Sequence, residues 1–453
     1  MRIAWFSPFP PVRTGIAGRS AELVSALGAR GYAIDPYPES ASHDFPWRHR
    51  RHPYDLAVYQ FGNSSHHDYE WPYALQYPGL VVLHDTHLHH ARAALLLRER
   101  RAADYRAEFA WSHPGVAPDA AELAVAGFDS RLYYEWPMVR ALVEASRLIA
   151  VHGHGARRGL LETIVKSQLP TPNSQTAEAT KIAEKIVSIR LGEGELVTPE
   201  REARARREVR ARYGIDPDAV LFGCFGGLTP EKRIPQVVAA LEATSKYAPS
   251  VRLMLAGAPA AQLDLAASGL TDRAVVTGYL EDDEALTDHL AACDVSLNLR
   301  WPTARETSGP WLRALAAGKP TVITDLVHMA GLASLDPRTW AVNVVNSQSP
   351  TPNSQGAVCV AVDVLDEDHS LRLAMRRLAA DPDLRARLGR AAREWWRQHH
   401  SVDAMVNDYE RVMREAAAAP APIAIDDAPA HLRSDGEETL RALLAPFGVE
   451  SPL

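Results

Sequence analysis

Short apolar segments alternate with amphipathic segments along most of this 453-residue sequence, and the alternation occurs twice. The first series extends from residues 3–6 to 148–152, and the second from 220–225 to 321–324. Apolar runs of strand length separated by helical patterns indicate βαβ units, in which helices connect parallel strands. We therefore predict an α/β protein with two doubly wound, Rossmann-like domains.

A charged helical stretch lies between the two series and indicates the domain boundary. It covers residues 199–213 and is followed by Gly214 and Pro217, residue types that mark the entry into a new element. The chain is also longer than the size at which a single hydrophobic core usually splits. We predict an N-terminal domain at 1–195 and a C-terminal domain at 196–400.

The C-terminal part of the sequence carries a helical pattern and then a polar tail. We expect a helix at 401–417 that packs back toward the N-terminal domain, and a loose tail at 418–453, which begins Ala- and Pro-rich and acidic. The hexapeptide PTPNSQ occurs at both 170–175 and 350–355. Because Pro, Asn and Ser suit exposed turns, we predict that both copies are loop insertions.

The charge balance and the cysteines argue against several classes of protein. There are 49 Lys and Arg residues against 56 Asp and Glu residues, a net charge of −7, so no global basic field favours nucleic acid. Cys224, Cys293 and Cys359 lie far apart and form no C-x-x-C pair. This spacing argues against a zinc site and a disulfide framework, and it fits a reducing compartment.

No segment resembles a signal peptide or a membrane span. The N-terminal strand pattern leads directly into a Pro-rich segment, and the sequence has no uninterrupted apolar run of about 18 residues. We therefore expect a cytoplasmic protein. The basic stretch at 201–212 leaves open a peripheral contact with the inner face of the membrane, with a solvated helix face as the alternative.

A glycine-containing loop follows the first predicted strand. Residues 10–18 read PPVRTGIAG and precede a predicted helix, so amides at that helix start can meet a phosphate or a sugar. Gly15 would allow the chain to approach a ligand closely, although such a glycine also serves an ordinary tight turn. The dinucleotide-binding pattern G-x-G-x-x-G is absent, which argues against a nicotinamide dehydrogenase.

A histidine-rich run follows the strand predicted at 80–83. His84 lies at the carboxyl end of this strand, where open parallel sheets bind ligands, so we predict a catalytic or substrate-contacting role. The alternative is a strand-end histidine that bonds to a backbone group. His87, His89 and His90 would begin a helix and point in different directions, so we predict no metal site.

Two further segments carry candidate donor-binding residues. Residues 223–233 form a strand, a glycine turn at Gly226 and Gly227, and a helix start with Lys232 and Arg233. Two cations beside a helix N-terminus can stabilise the charge that develops on a departing nucleoside diphosphate. We therefore predict that this turn contacts a diphosphate, with surface charges as the alternative.

The second segment follows the strand at 295–299. Amides of Thr307, Ser308 and Gly309 open a helix and can hold phosphate oxygens, while the Glu306 carboxylate can accept hydrogen bonds from sugar hydroxyls. The alternative for Glu306 is a carboxylate that favours the helix dipole.

These segments together resemble glycosyltransferase family 4, and the resemblance covers residues 1 to 415. The matching parts are the Pro-rich loop at 10–20, the strand ending in His-Asp at 82–85, the G-x-x-x-P-E-K turn at 226–232 and the donor-binding block at 306–320. The resemblance implies a GT-B fold, with two Rossmann-like domains facing across a cleft, and a retaining transferase that uses a nucleotide-sugar. It also implies that His84 lies near the transferred sugar, that Lys232 contacts the diphosphate and that Glu306 contacts sugar hydroxyls.

The sequence departs from the family at two points. Gly226 is followed by Gly227 where many relatives have Gly-Arg, so one expected diphosphate cation is missing, and Arg233 or Arg300 would substitute for it. The usual second glutamate of the donor block would fall at Ala314 or, with a shift of one residue, at Arg313. The usual carboxylate for ribose is therefore absent.

The sequence hypothesis is retaining transfer of a sugar from a nucleoside diphosphate donor to an unidentified acceptor, in glycan, glycolipid or polysaccharide biosynthesis. The enzyme would be of the hexosyltransferase type and would need no metal or other cofactor. Its partners would be the donor and a glycan, lipid-linked or small-molecule acceptor. The alternatives are a sugar-nucleotide epimerase or a phosphorylase with the same fold, and a catalytically degenerate binding or scaffold protein.

Overall fold

The computed structural model describes residues 1–128, 132–168, 175–259, 273–326, 329, 332–344, 356–422, 425–434 and 438–448. The chain forms two compact units. The first contains residues 1–189, 304–307 and 406–453, and the second contains 190–303 and 308–405. The main division thus falls at residues 189 and 190 rather than near 195, and the short segment 304–307 belongs to the first unit.

The first unit contains a six-stranded parallel sheet in the order β2-β1-β3-β4-β5-β6. All residues of β3 and β4 are buried, which is typical of parallel strands covered by helices on both faces. The strands are β1 Arg2–Phe6, β2 Ala33–Tyr37, β3 Leu56–Phe61, β4 Leu80–Leu83, β5 Leu148–His152 and β6 Ile186–Ile189.

Helices connect these strands, as the alternating sequence pattern predicts. The first of them, α1, begins at Gly15, and the hydroxyl of Thr14 caps it by accepting a hydrogen bond from the Ala17 amide at 3.1 Å. The helices are α1 Gly15–Ala29, α2 Phe45–Arg51, α3 Glu70–Gln76, α4 His89–Arg98, α5 Ala102–Ser112, α6 Asp119–Val125, α7 Leu132–Glu135, α8 Arg140–Ala145, α9 His154–Gln168 and α10 Gln175–Lys185.

The second unit contains an eight-stranded sheet in the order β13-β12-β14-β11-β10-β7-β8-β9. Its strand pairs are parallel except for β12 with β13. The strands are β7 Leu221–Phe225, β8 Arg252–Ala256, β9 Ala274–Gly278, β10 Val295–Asn298, β11 Thr321–Thr324, β12 Ala333–Leu335, β13 Val342–Val344 and β14 Cys359–Val362. The helices are α11 Pro199–Arg212, α12 Ile234–Ser245, α13 Asp283–Ala292, α14 Gly309–Ala316, α15 Glu367–Ala380 and α16 Pro382–His399.

The last long helix, α17, spans Val402–Ala418, and the chain passes from the second unit to the first within it, between residues 405 and 406. Two short helices follow, α18 Ala430–Arg433 and α19 Glu438–Leu444. The prediction of a loose tail from 418 is wrong for residues 425–434, because Ala428 and Leu432 are buried in the core of the first unit. The copies of the repeated hexapeptide fall outside the described residues, apart from Gln175.

The basic stretch at 201–212 is used for packing inside the second unit. Arg201 donates to Asp288 at 2.7 Å, and both Arg206 and Arg210 donate to Asp294 at 2.7 Å. These ion pairs hold α11 against α13 and the start of β10. None of the helices in the described ranges combines the length and the apolar character that a membrane span requires.

Candidate functional site

His84 follows the last residue of β4 and is partly buried at the carboxyl edge of the first sheet. Its backbone amide donates to the carbonyl of Phe61 at 2.8 Å. Its Nε2 atom lies 2.8 Å from Oε1 of Gln60, and its Nδ1 atom lies 3.1 Å from Nε2 of His152. Both ring nitrogens are therefore hydrogen-bonded within the protein.

The surroundings of His84 keep its imidazole neutral. Burial lowers the pKa of His84 well below its ordinary value of 6.5, and the neighbouring His152, His67 and Arg19 lower it further. A buried ring with a lowered pKa and with both nitrogens bonded within the protein is a poor proton acceptor at neutral pH. The structure therefore favours a positioned polar group over an acid or a base at this residue.

The segment 304–307 lies against the same edge of the first sheet. The Thr86 amide donates to the carbonyl of Ala304 at 3.1 Å, and the Thr307 hydroxyl donates to the carbonyl of His152 at 3.2 Å. Arg305, between them, donates from Nη1 to the carbonyl of Gly159 in α9 at 2.7 Å. These bonds place the segment that carries Glu306 beside the ends of β4 and β5, where His84 also lies.

Gly15 is the first residue of α1 and is exposed. A Cβ atom at this position would meet no heavy atom within 4 Å. The fold itself therefore has room for a side chain at position 15, and the role of Gly15 in ligand binding stays a prediction.

In the second unit, the glycine turn and Lys232 lie beside the start of α14. A Cβ atom at Gly226 would lie 3.3 Å from Cγ of Pro310 in the first turn of α14, and 3.4 Å from Nζ of Lys232. The Lys232 ammonium donates to the carbonyl of Phe225, the last residue of β7, at 2.6 Å. Gly226 has a φ of 88°, which favours glycine. An ammonium group, a glycine turn and a helix N-terminus are therefore brought together.

The two segments of this cluster are also joined through the backbone. The Trp301 amide donates to the carbonyl of Glu231 at 2.8 Å, next to Lys232, and the Arg300 amide donates to the Thr324 hydroxyl at 3.0 Å. Arg300 thus precedes the residue that bonds to the turn, and its own amide is bonded to β11. Gly227, the second residue of the glycine pair, is exposed.

Arg233 forms an ion pair inside the second unit. Its Nε and Nη2 atoms lie 2.9 Å and 2.6 Å from Oε2 of Glu367, whose side chain is only 6% exposed. The guanidinium therefore connects the start of α12 to the start of α15. The buried carboxylate thus holds the Arg233 guanidinium within the second unit, and the contact of Arg233 with a diphosphate stays a prediction.

Helix α14 begins as the sequence predicts. Ser308 is its N-cap, with its hydroxyl accepting from the Trp311 amide at 3.4 Å, and Gly309 is its first residue. Where the family's second glutamate would fall, Arg313 pairs with Glu193 and with Asp283. A Cβ atom at Gly309 would lie 3.5 Å from Cγ of Glu193, so this carboxylate packs against the first residue of α14.

The three histidines that follow His84 differ in their burial and in their contacts. His87 and His89 are buried, whereas His90 is exposed, and Nε2 of His89 lies 2.8 Å from the Tyr105 hydroxyl. Across the described residues, no group of three or more His, Cys, Asp or Glu side chains is arranged to hold a metal ion.

Sequence reasoning missed four residues that shape these clusters. Gln60 and His152 form hydrogen bonds with His84, and the Gly159 carbonyl accepts a hydrogen bond from Arg305. Gly257 lets the end of β8 approach the glycine turn, since a Cβ atom there would lie 2.1 Å from the Gly226 carbonyl oxygen. Each lies at or near the end of a strand or on the helix after one, but so do many other polar residues and glycines. No local signal separated these four from the rest.

Comparison with known proteins agrees with this architecture. Residues 219–344 match the family model described as glycosyl transferases group 1. This range includes the glycine turn, Lys232 and α14. Comparison with curated protein sequences gave no match.

Solved structures match nearly the whole chain at low sequence identity. Sucrose-phosphate synthase from Thermosynechococcus elongatus has a TM-score of 0.60 at 16% identity, over 92% of this chain and 98% of that chain. HepE from Anabaena, in complex with UDP, has a TM-score of 0.54 at 13% identity, over 91% and 100% of the two chains. The catalytic domain of starch synthase IV from Arabidopsis thaliana, bound to ADP and acarbose, has a TM-score of 0.60 at 11% identity, over 92% and 99%. The chain therefore has the GT-B fold, and its second unit contains the segment that matches the group 1 glycosyl transferases.

Proposed function

We propose that this chain is a retaining glycosyltransferase that moves a sugar from a nucleoside diphosphate donor to an acceptor hydroxyl. The observation that carries the proposal is the position of Lys232 beside Gly226 and the first turn of α14. A lysine ammonium and the positive end of a helix both stabilise negative charge on phosphate oxygens. The match of residues 219–344 to the group 1 glycosyl transferases supports the same reading.

In the proposed reaction, the acceptor oxygen forms a bond to the anomeric carbon while the bond from that carbon to the phosphate oxygen breaks. The acceptor proton passes to the leaving diphosphate, on the face from which the nucleotide departs. Lys232 and the amides of Thr307, Ser308 and Gly309 would stabilise the charge on the leaving group. The reaction as proposed needs no metal or other cofactor, because these groups supply the positive charge.

The first unit would recognise the sugar. Glu306, on the segment bonded to Thr86 and His152, would accept hydrogen bonds from sugar hydroxyls. His84 would act as a neutral polar group next to the sugar rather than as a base, since both of its nitrogens are bonded. No side-chain nucleophile is needed when the leaving phosphate accepts the proton.

The donor class is inferred from Lys232, the glycine turn and the start of α14, and from the solved structures with this fold. Two of the structures with this fold hold UDP or ADP, which supports a nucleoside diphosphate as the product here. We propose a hexosyl donor, and a glycan, lipid-linked or small-molecule acceptor within glycan or polysaccharide biosynthesis. The base of the donor is left to the experiment.

Thermal-shift measurements with a panel of nucleoside diphosphates and their sugars test donor binding. Lys232→Ala and Glu306→Ala should each abolish the stabilisation that one sugar nucleotide produces, whereas Lys246→Ala, an exposed lysine at the end of α12, should keep it. Stabilisation that survives Lys232→Ala would contradict the role of this lysine. No stabilisation by any donor would favour the degenerate scaffold.

Product analysis then tests the reaction. Incubation with the stabilising donor should release the nucleoside diphosphate and a sugar product that keeps the anomeric configuration of the donor, as followed by proton NMR. An inverted product would contradict the retaining mechanism. An isomerised sugar nucleotide, or formation of a sugar phosphate, would instead identify an epimerase or a phosphorylase.

A further inference from the structure

His152 is the last residue of β5, and it contacts both His84 and Thr307. Its side chain is buried, and its Nε2 atom lies 3.1 Å from Nδ1 of His84. Its backbone carbonyl accepts the hydrogen bond from Thr307, the residue after Glu306, at 3.2 Å. One residue therefore connects the His84 ring to the segment that carries the glutamate.

The Gln60 amide is oriented with its oxygen toward both His84 and Tyr409, and this orientation assigns the protons of the two histidines. The Oε1 atom of Gln60 lies 2.8 Å from Nε2 of His84 and accepts from the Tyr409 hydroxyl at 3.2 Å. An amide oxygen can only accept, so Nε2 of His84 carries a proton. In a neutral imidazole the other nitrogen is then an acceptor. The proton between the two histidines consequently belongs to Nε2 of His152.

We propose that His152 is a positioning residue, whose side chain fixes the tautomer and the orientation of the His84 ring and whose backbone carbonyl holds Thr307 at the end of β5. Without the N–H group of His152, Nδ1 of His84 would lose its donor, and the ring would be free to exchange between its two tautomers. The effect of His152 on turnover rests on the proposed function, whereas its effect on the His84 tautomer does not depend on that function. The two parts are therefore tested separately.

The tautomer is measured by nitrogen-15 NMR of the imidazole rings, with His84→Gln used to assign the His84 signals. In the unaltered protein, His84 should show a protonated Nε2 and an unprotonated Nδ1. His152→Gln places an amide N–H group near the position of the lost Nε2, so it should keep this pattern. His152→Leu removes the donor and should give signals averaged over both tautomers. An unchanged His84 pattern in His152→Leu would overturn the proposal.

The kinetic test uses donor turnover by the same variants. His152→Leu should lower kcat by about tenfold or more and change KM for the donor by less than about threefold, because orientation and not ground-state binding is lost. His152→Gln should recover most of kcat. Equal loss in both variants would indicate a merely structural role and would overturn the proposal.

His154→Leu is the matched control, since His154 lies two residues further along the chain, at the start of α9, is exposed and bonds to Ser188. This variant should leave both the His84 signals and kcat unchanged. If the unaltered protein turned over no donor, the proposed function would fail, and the NMR comparison alone would decide the role of His152.

Discussion

The Arg305 guanidinium fills the space beside Gly159, where a Cβ atom would lie 2.8 Å from its Nη1 atom. That nitrogen donates to the Gly159 carbonyl at 2.7 Å and lies 3.0 Å from the Thr163 hydroxyl oxygen. Arg305 also has a φ of 63°, a conformation that few residues other than glycine adopt. Because position 159 has no side chain, the Arg305 guanidinium fits there, and this contact holds the backbone just before Glu306.

Gly159→Ala should therefore displace Arg305 and the segment after it. We expect kcat/KM for the donor to fall by about tenfold or more, because small displacements of positioning groups are costly to catalysis. Stability should be nearly unchanged, since alanine favours the helix by about 1 kcal/mol and offsets part of the steric cost. Gly28→Ala in α1 is the control, because a Cβ there meets nothing within 4 Å. Full activity in Gly159→Ala would contradict this account.

Arg233→Ala should destabilise the second unit rather than weaken donor binding specifically. It leaves the buried Glu367 carboxylate without its cation, which typically costs about 3 kcal/mol. The double variant with Glu367→Ala should recover part of that loss, since no unpaired charge then remains buried. Urea unfolding measures both. A weaker donor Kd at unchanged stability would instead support the predicted contact of Arg233 with the diphosphate.

The first unit should lose stability in mild acid. Burial lowers the pKa of His67, His89 and His113 to about 3 each, whereas the unfolded chain titrates near 6.5. Below pH 6.5 these histidines bind protons in the unfolded state but stay neutral in the folded state. The contribution of the neutral histidines to the free energy of unfolding is therefore complete above pH 6.5 and is lost as the pH falls toward 3. At pH 5 each histidine accounts for up to about 2 kcal/mol. Unfolding by urea at pH 7 and pH 5 tests this, and equal stability at both would refute it.

His113→Leu isolates one of these histidines. Neither ring nitrogen of His113 forms a hydrogen bond within the described part of the chain, and the side chain is fully buried. We expect the variant to be as stable at pH 7 as the unaltered protein, or more stable by about 1 kcal/mol, because it no longer buries an unbonded polar ring. Between pH 7 and pH 5 the free energy of unfolding of this variant should fall by about 2 kcal/mol less than that of the unaltered protein. The exposed His66, changed to Leu, should show neither effect.

Removal of the chain from residue 423 onward should destabilise the first unit, because residues 425–434 contribute to its core. The deletion removes the buried Leu432 and the contact of His431 with the buried Glu108 carboxylate, at 2.8 Å. We expect a loss of about 3 kcal/mol or more. Removal from residue 438 onward is the control. It should cost less than about 0.5 kcal/mol, since Leu443 and Phe447 are largely exposed. Equal stability of the two truncated proteins would show that the contacts of 425–434 add nothing.

Much of the fold could be predicted because its signals are local. Both series of strands appear where the apolar runs predict them, and α1 and α14 begin beside Gly15 and Gly309, after the hydroxyl caps Thr14 and Ser308. The proximity of Gly226 and Lys232 follows in the same way, since a strand, a turn and a helix start place them within a few residues. The assignment of 304–307 to the first unit could not be predicted, because it depends on bonds to residues such as Thr86 and Gly159, far away in the sequence.

The sequence by itself thus determined the α/β architecture, the helix starts and the glycine turn with its lysine, since periodicity and capping act over a few residues. Only the tertiary structure decided the partners of the charged and polar side chains. Arg233 and Lys232 are adjacent in the sequence, yet one is held by Glu367 and the other lies beside α14. His84 acquires its neutral state mainly from burial, and its bonded nitrogens from Gln60 and His152, 24 and 68 residues away. The partner of a side chain and its desolvation depend on which elements pack together, which no local pattern encodes.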